Sequence, residues 1–94
     1  MTNTTNTDYR RMERIVKGFA NHRRLQILDL LRKEPELTLE QIAERVHTGY
    51  MNASDHVRRM AIAGLVIKRN DGPRVHHKLT SRAESILAFC KKLY

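Results

Sequence analysis

The chain has 94 residues, one cysteine and a formal net charge of +8 at pH 7. This length allows one domain with a thin core, and a lone cysteine excludes an intramolecular disulfide that could reinforce it. No apolar run approaches the roughly 18 residues of a membrane span, and the N-terminus lacks a signal-peptide core. We therefore expect a soluble cytoplasmic protein, not a membrane protein, whose charge favours a polyanionic partner.

The N-terminal segment has two parts. Met1 to Thr7 has only its first residue as an apolar side chain, and its Thr and Asn side chains compete for backbone hydrogen bonds. We predict a disordered tail over residues 1–7 and a single folded domain over residues 8–94. A first helix is predicted from Asp8, because apolar residues recur there at the spacing of one helical face. These residues are Met12, Ile15, Val16 and Phe19.

Two more helices are predicted before the middle of the chain. Asn21 can accept the first free amides of the second helix, which is rich enough in Leu and Ile to be the central core element. Pro35 should end it, because a proline disfavours helical geometry in the residue before it. Thr38 and Gln41 form a capping box that starts a short third helix.

The fourth helix has one apolar and one polar face. We interpret Gly49 as the tight turn that precedes it. The apolar face consists of Ala53, Val57, Met60 and Gly64, whereas the residues that point the other way are Met51, Asn52, Asp55, Arg58 and Arg59. The helix thus has a face to bury and a polar face to present.

A hairpin and a fifth helix complete the chain. Two strand-like runs, Leu65 to Arg69 and Arg74 to Leu79, are joined by Asn-Asp-Gly-Pro, which supplies turn residues. Ser81 and Glu84 suit a second capping box. The last helix has an apolar stripe of Ala83, Ile86, Leu87 and Cys90 that continues to Leu93 and Tyr94.

The positive charge is concentrated near the hairpin. From His56 to Arg82 there are seven Lys or Arg and one acidic residue, Asp71, which is a local excess of +6. A basic cluster alone fits a solvated face as well as nucleic-acid binding. Its coincidence with a helix followed by a hairpin favours DNA.

Three segments resemble the ArsR/SmtB-type winged helix-turn-helix repressors. The run from Ser54 to Val66 resembles their Ser-x-His-Leu-x-x-Leu-x-x-Ala-Gly-Leu-Val recognition helix without gaps. The run from Ala20 to Leu28 is similar to Ala-Asp-Pro-x-Arg-Leu-x-Ile-Leu, and Gly72 to Thr80 is similar to the wing that ends in Tyr-x-Leu-Thr. The departures are His77 where Tyr is frequent, and Ala61-Ile62 where charged residues are usual.

The resemblance implies a mainly α fold, a winged helix-turn-helix of about five helices plus a two-stranded antiparallel wing. It also implies a homodimer that binds an inverted-repeat operator in double-stranded DNA. The first part of the fourth helix would meet base edges through Tyr50, Met51, Asn52, Ser54 and Asp55. Phosphates would be met by Arg58, Arg59, Lys68, Arg69 and Arg74. The dimer interface would be formed by Met12, Ile15, Val16, Phe19, Ile86, Leu87, Cys90 and Leu93.

Metal chemistry and catalysis have little support in the sequence. The family's thiolate metal site needs two cysteines, and Glu36 to Ile42, the matching run, has none. A site on the last helix would have only Glu84 and Cys90 as ligands. Cys90 is expected to pack as a small hydrophobic residue, although Lys91 and Lys92 could activate it. We expect no cofactor and no enzyme activity, because no catalytic triad, paired carboxylates or phosphate-binding loop is present.

A second function remains open at the level of the sequence. A winged helix can serve as a protein-interaction module, with its basic hairpin meeting an acidic partner and no specific DNA target. The exposed apolar positions Met51 and Ile62 favour that alternative, and the arginines of the fourth helix argue against it. No effector is indicated by the residues.

Overall fold

The computed structural model describes residues 3–94, and its fold is five helices with one two-stranded antiparallel hairpin. The predicted fold class is confirmed. The elements are α1 (Asn6–Phe19), α2 (His22–Lys33), α3 (Leu39–Arg45), α4 (Tyr50–Ile62), β1 (Val66–Asp71), β2 (Arg74–Leu79) and α5 (Ser81–Lys91). In this described part of the chain, no helix is both long and apolar enough to cross a membrane.

Helix α2 is the centre of the core, as its four leucines and one isoleucine predict. Ile27, Leu28 and Leu31 are almost completely buried. Every other helix packs against α2, and so does strand β2. Burying side chains of this size stabilises the fold by roughly 1.5–3 kcal/mol each.

Hydroxyl side chains cap three helices, and two of these caps differ from expectation. Helix α1 begins at Asn6, because Thr5 and Asp8 form a reciprocal capping box, so residues 5–7 do not belong to a disordered tail. The first two residues of that tail lie outside the described part of the chain. Helix α5 is capped by Thr80, not by Ser81. The Thr80 hydroxyl accepts from the Ala83 amide at 3.2 Å and donates to the Gly64 carbonyl at 2.7 Å.

The hairpin of β1 and β2, called the wing below, has a tighter turn than predicted. Its register pairs Val66 with Leu79 at the base and Asp71 with Arg74 at the tip, so the loop is Gly72 and Pro73 alone. Gly72 has a φ of 60°, which suits the first position of a two-residue hairpin loop and is unfavourable for other residues.

The segment between α2 and α3 attaches the wing to the body of the protein. Leu37 forms a β-bridge with His77, whose amide donates to the Leu37 carbonyl at 3.0 Å. The Nδ1 atom of His77 also donates to that carbonyl, at 2.8 Å. These bonds join the wing to the segment that follows α2. The base of the wing therefore cannot move independently of the core.

The two apolar stripes predicted for a dimer interface are not equally available. Leu87 is only 4% exposed and belongs to the core, since α5 packs that residue toward α2, so its assignment to an interface is corrected. Phe19 and Ile86 are partly buried against the same core. The large apolar side chains that remain exposed on α1 and at the end of the chain are Tyr9, Met12, Val16, Phe89, Leu93 and Tyr94.

Replacing Gly18 by Ala should destabilise the domain. Gly18 of α1 lies so close to Ala63, the C-cap residue of α4, that a Cβ at Gly18 would overlap the Cβ of Ala63. We expect overpacking in Gly18→Ala to lower the free energy of unfolding by about 1–3 kcal/mol. This loss should outweigh the roughly 1 kcal/mol by which the higher helix propensity of alanine would raise it. Thermal unfolding measures the change. Gly18→Ala combined with Ala63→Gly should recover part of the loss, whereas a higher melting temperature for Gly18→Ala alone would contradict this packing.

The stability of the domain should fall in mild acid because of His77. Its side chain is 1% exposed, and burial lowers its pKa below the ordinary value of 6.5. A histidine whose pKa is lower in the folded state binds more protons when unfolded, so stability is lost as the pH falls below about 6.5. We expect His77→Phe to reduce the slope of the unfolding free energy against pH between 7.5 and 5.5, and part of the slope to remain, because burial also lowers the pKa of His56. An unchanged slope in His77→Phe would contradict this assignment.

Candidate nucleic-acid interface

Helices α3 and α4 form a helix-turn-helix whose turn differs from the expected one. Gly49 has an extended conformation with a φ of −69° and occupies the N-cap position of α4. The left-handed residue is His47, at a φ of 55°. The turn is closed by the Thr48 amide, which donates to the Ala43 carbonyl at 3.0 Å. The reversal therefore occurs two residues earlier than predicted.

Helix α4 has the two faces that its sequence predicts, except that Gly64 lies beyond the end of the helix, in a turn with a φ of 75°. Ala53, Val57 and Met60 are at most 1% exposed and pack toward α2 and α3. On the opposite face, Met51 is 79% exposed, and the other exposed candidates are Tyr50, Asn52, Arg58 and Arg59. Ser54 and Asp55 are half-buried at the boundary of this face.

Asp55 organises the arginines of this face. One carboxylate oxygen accepts from Arg58 at 2.8 Å and the other accepts from Arg59 at 3.0 Å. These two bonds hold the pKa of Asp55 below its usual value. The expected contact of Asp55 with a base would therefore share these two oxygens with the arginines.

His56 is oriented by a residue that sequence reasoning did not assign to the site. The guanidinium of Arg24, on α2, donates to Nδ1 of His56 at 3.2 Å and to the carbonyl of Lys17 at 3.1 Å. Since a guanidinium cannot accept, neutral His56 carries its proton on Nε2. Burial, followed by the charge of Arg24, lowers the pKa of His56 and favours this neutral form. Arg24 and His56 both stand at motif positions of the family that the sequence resembles. The sequence therefore indicated the two residues, but not the contact between them.

The three basic candidates of the wing lie in different surroundings. Lys68 and Arg74 line an open cleft together with Tyr50, at the start of α4, so these three candidates are brought together. Asn70 lines the same cleft, although it was not among the DNA-contact residues predicted from the sequence. Arg69 is instead held by Glu36 at 3.2 Å, an ion pair between residues too distant in sequence to be paired by pattern.

Metal ligands do not cluster within residues 3–94, where no three His, Cys, Asp or Glu side chains converge. His76 and His77 occupy opposite faces of β2. His76 bonds through Nδ1 with the Glu36 carbonyl at 2.7 Å, whereas His77 points into the core toward Leu37. The described surface of the helix-turn-helix and wing thus offers polar and cationic groups, which suit base edges and phosphates.

Comparison with known proteins identifies this arrangement. Residues 21–67 match the model of the winged helix-turn-helix DNA-binding family, which is one of DNA-binding proteins and not of enzymes. The HTH-type transcriptional regulator Rv0324 of Mycobacterium tuberculosis is 38% identical over 66 residues, covering 70% of this chain and 29% of that protein. The match therefore spans less than a third of this relative's length.

Solved structures agree in fold along nearly the whole chain. The homodimeric winged helix-turn-helix domain Mb0332 of Mycobacterium bovis, a possible ArsR-family transcriptional regulator, has a TM-score of 0.84 and 28% identity, covering 99% of this chain and 89% of that one. HlyU from Vibrio cholerae has a TM-score of 0.80 and 25% identity, with coverages of 96% and 98%. The chain belongs to the winged helix-turn-helix DNA-binding family and is ArsR-like in sequence and fold.

Proposed function

We propose that the protein is a sequence-specific transcriptional repressor that binds an inverted-repeat operator as a homodimer. The observation that carries this proposal is the exposed face of α4, which presents polar and cationic side chains while the opposite face is buried. A helix held in this way can enter the major groove, which is about 12 Å wide. The wing lies beside it and adds cationic groups for the adjoining backbone.

The roles within α4 follow from position along the helix. The N-terminal residues of a recognition helix reach base edges, so Tyr50, Met51 and Asn52 are the primary readers and Ser54 is a further one. Asn52 has the amide geometry for a bidentate contact with adenine. Arg58 and Arg59 contact phosphates, and Asp55 positions them for it.

The wing contributes affinity more than sequence preference. Lys68 and Arg74 flank the cleft beside Tyr50, within reach of the backbone that passes between helix and wing. Arg69 is a weaker candidate, because it would have to exchange Glu36 for a phosphate. Such an exchange is inexpensive, since exposed ion pairs contribute roughly 0–1 kcal/mol.

Dimerisation is supported by the apolar surface that the monomer leaves uncovered. Met12 and Val16 on α1 are about half exposed, and Phe89 and Leu93 are more exposed still. The similar domain from Mycobacterium bovis is homodimeric. We assign the interface to α1 and α5, with Ile15 and Cys90 at its margin and Phe89 as a member that the sequence pattern missed.

Repression would follow from occupancy of the operator. A dimer covering two major-groove segments next to a promoter would exclude polymerase from the same DNA. This sign of regulation rests on the family resemblance, and a promoter-reporter assay with the selected operator measures it. Lower transcription on adding the protein supports repression, and higher transcription contradicts it.

Selection of bound duplexes from a random pool tests the proposal, and we expect an inverted repeat. Two-fold symmetry presents the two α4 helices in opposite directions, with half-site centres about 10 base pairs apart or a multiple of that. For about 6–10 phosphate contacts, the affinity should fall roughly a thousandfold or more between 50 and 200 mM salt. Selected sites without dyad symmetry, or binding that is flat across this range, would contradict the proposal and favour a protein-interaction module.

Replacing Arg74 by Gln should weaken binding to all duplexes alike. Arg74 is at the tip of the wing and can reach phosphates or the minor groove, but not the base edges of the major groove. The slope of log affinity against log salt should decrease by about 0.9 for each lost phosphate contact. Lys92→Gln, which removes the same charge beyond the end of α5, is the matched control. A changed sequence preference in Arg74→Gln would show that the wing reads bases.

A further inference from the structure

An open cleft between α1 and α4 is not explained by operator binding alone. Its rim has four cationic side chains, Arg14 and Lys17 from α1 and Arg58 and Arg59 from α4. Apolar residues also line it, among them Ile62 and Ala63. Cations and an apolar surface thus converge from two helices that are distant in sequence.

The cleft has more positive charge than its carboxylates neutralise. Lys17 pairs with Glu13 at 3.4 Å, and Asp55 is shared between Arg58 and Arg59. Arg14 has no ion-pair partner among residues 3–94. Behind this rim lies Arg24, whose pKa is lowered first by burial and next by the charge of Arg59. An anion in the cleft would relieve this repulsion.

The apolar part of this lining distinguishes the occupant from a nucleic-acid backbone. Ile62 is 76% exposed at the end of α4, a position where the sequence departs from the charged residues of the family it resembles. A phosphate backbone would satisfy the arginines but would leave this side chain uncovered. An anion with an apolar body satisfies both, because its hydrocarbon part covers Ile62 while its charged group meets the guanidinium groups.

We propose that the cleft between α1 and α4 binds a small carboxylate with an apolar body, in competition with DNA. The inference rests on the proposed function, since Arg58 and Arg59 are the phosphate contacts that such a ligand would occupy. A carboxylate can accept bidentate bonds from one guanidinium and further bonds from its neighbours. Binding of the carboxylate would then release the protein from its operator.

Octanoate is the probe, and acetate at equal ionic strength is its matched control. Backbone amide shifts of the DNA-free protein report the site, and fluorescence anisotropy of a labelled selected duplex reports competition. We expect octanoate, but not acetate, to give saturable shifts around Arg14, Gly18 and Ile62 and to displace the duplex. Ile62→Gln should weaken octanoate about tenfold, since it removes roughly half of a buried isoleucine's contribution. Ile67→Gln, at an exposed apolar position of the wing, should leave octanoate binding unchanged.

Each contrary outcome identifies a different error. Equal effects of octanoate and acetate would show screening by ions only, and shifts without displacement of DNA would refute competition. If Arg14→Gln weakens DNA as much as Arg58→Gln does, the cleft is occupied by DNA. If Ile62→Gln turns a dimer into a monomer in sedimentation, the cleft is covered by a second copy. Failure of the unliganded protein to bind any selected duplex would refute the proposed function, while the DNA-free shifts still decide whether the cleft takes octanoate.

Discussion

The packing of α4 against α2 determines which side chains this protein can present to a partner. Ile27 and Leu28 on α2 are fully buried, and so are Ala53 and Met60 on α4. Rotating α4 so that Arg58 faced the core would place an unpaired cation among these side chains, which costs several kcal/mol or more of a total stability of about 5–15 kcal/mol. The exposed face is therefore a consequence of core packing.

The wing is positioned by the same helix through a different connection. The chain leaves α2, passes the left-handed residue Glu36 and pairs Leu37 with His77 of β2. The Glu36 carboxylate holds Arg69 on the outer side of the hairpin. Because one end of α2 supports the wing and its side supports α4, the two elements proposed to contact DNA share one rigid frame. This arrangement suits a surface that must match two neighbouring grooves.

Local patterns in the sequence predicted much of this architecture, and the reason is physical. Helical periodicity and the capping boxes depend on residues within one or two turns, so α2, the cap at Thr38 and the buried face of α4 were predictable. Selecting Thr80 over Ser81 as the cap of α5 depends on a bond to Gly64, which no local pattern contains. The left-handed conformation of His47, in place of a glycine turn, depends in the same way on how α3 packs against α4.

The candidate site was predictable in its members but not in their pairing. All the candidates on α4 lie at the surface or its boundary, because periodicity alone sets which side of a helix faces water. The bonds from Arg24 to His56 and from Arg69 to Glu36 join residues more than 30 positions apart, so only the folded chain reveals them. Leu87 was misassigned for a related reason, since periodicity identifies an apolar face without showing whether the core or a partner covers it.

In the proposed complex the exposed face of α4 meets DNA, whereas α5 does not. Amide shifts of the protein saturated with a selected duplex, compared with a scrambled duplex of equal length, measure this claim residue by residue. We expect the largest differences between the two complexes at Tyr50, Met51 and Asn52, because these amides lie nearest the base edges. Changes at Lys68 and Arg74 should be similar for both duplexes. Largest differences at Phe89 and Leu93, with α4 unaffected, would contradict the assignment of α4 as the DNA-reading helix.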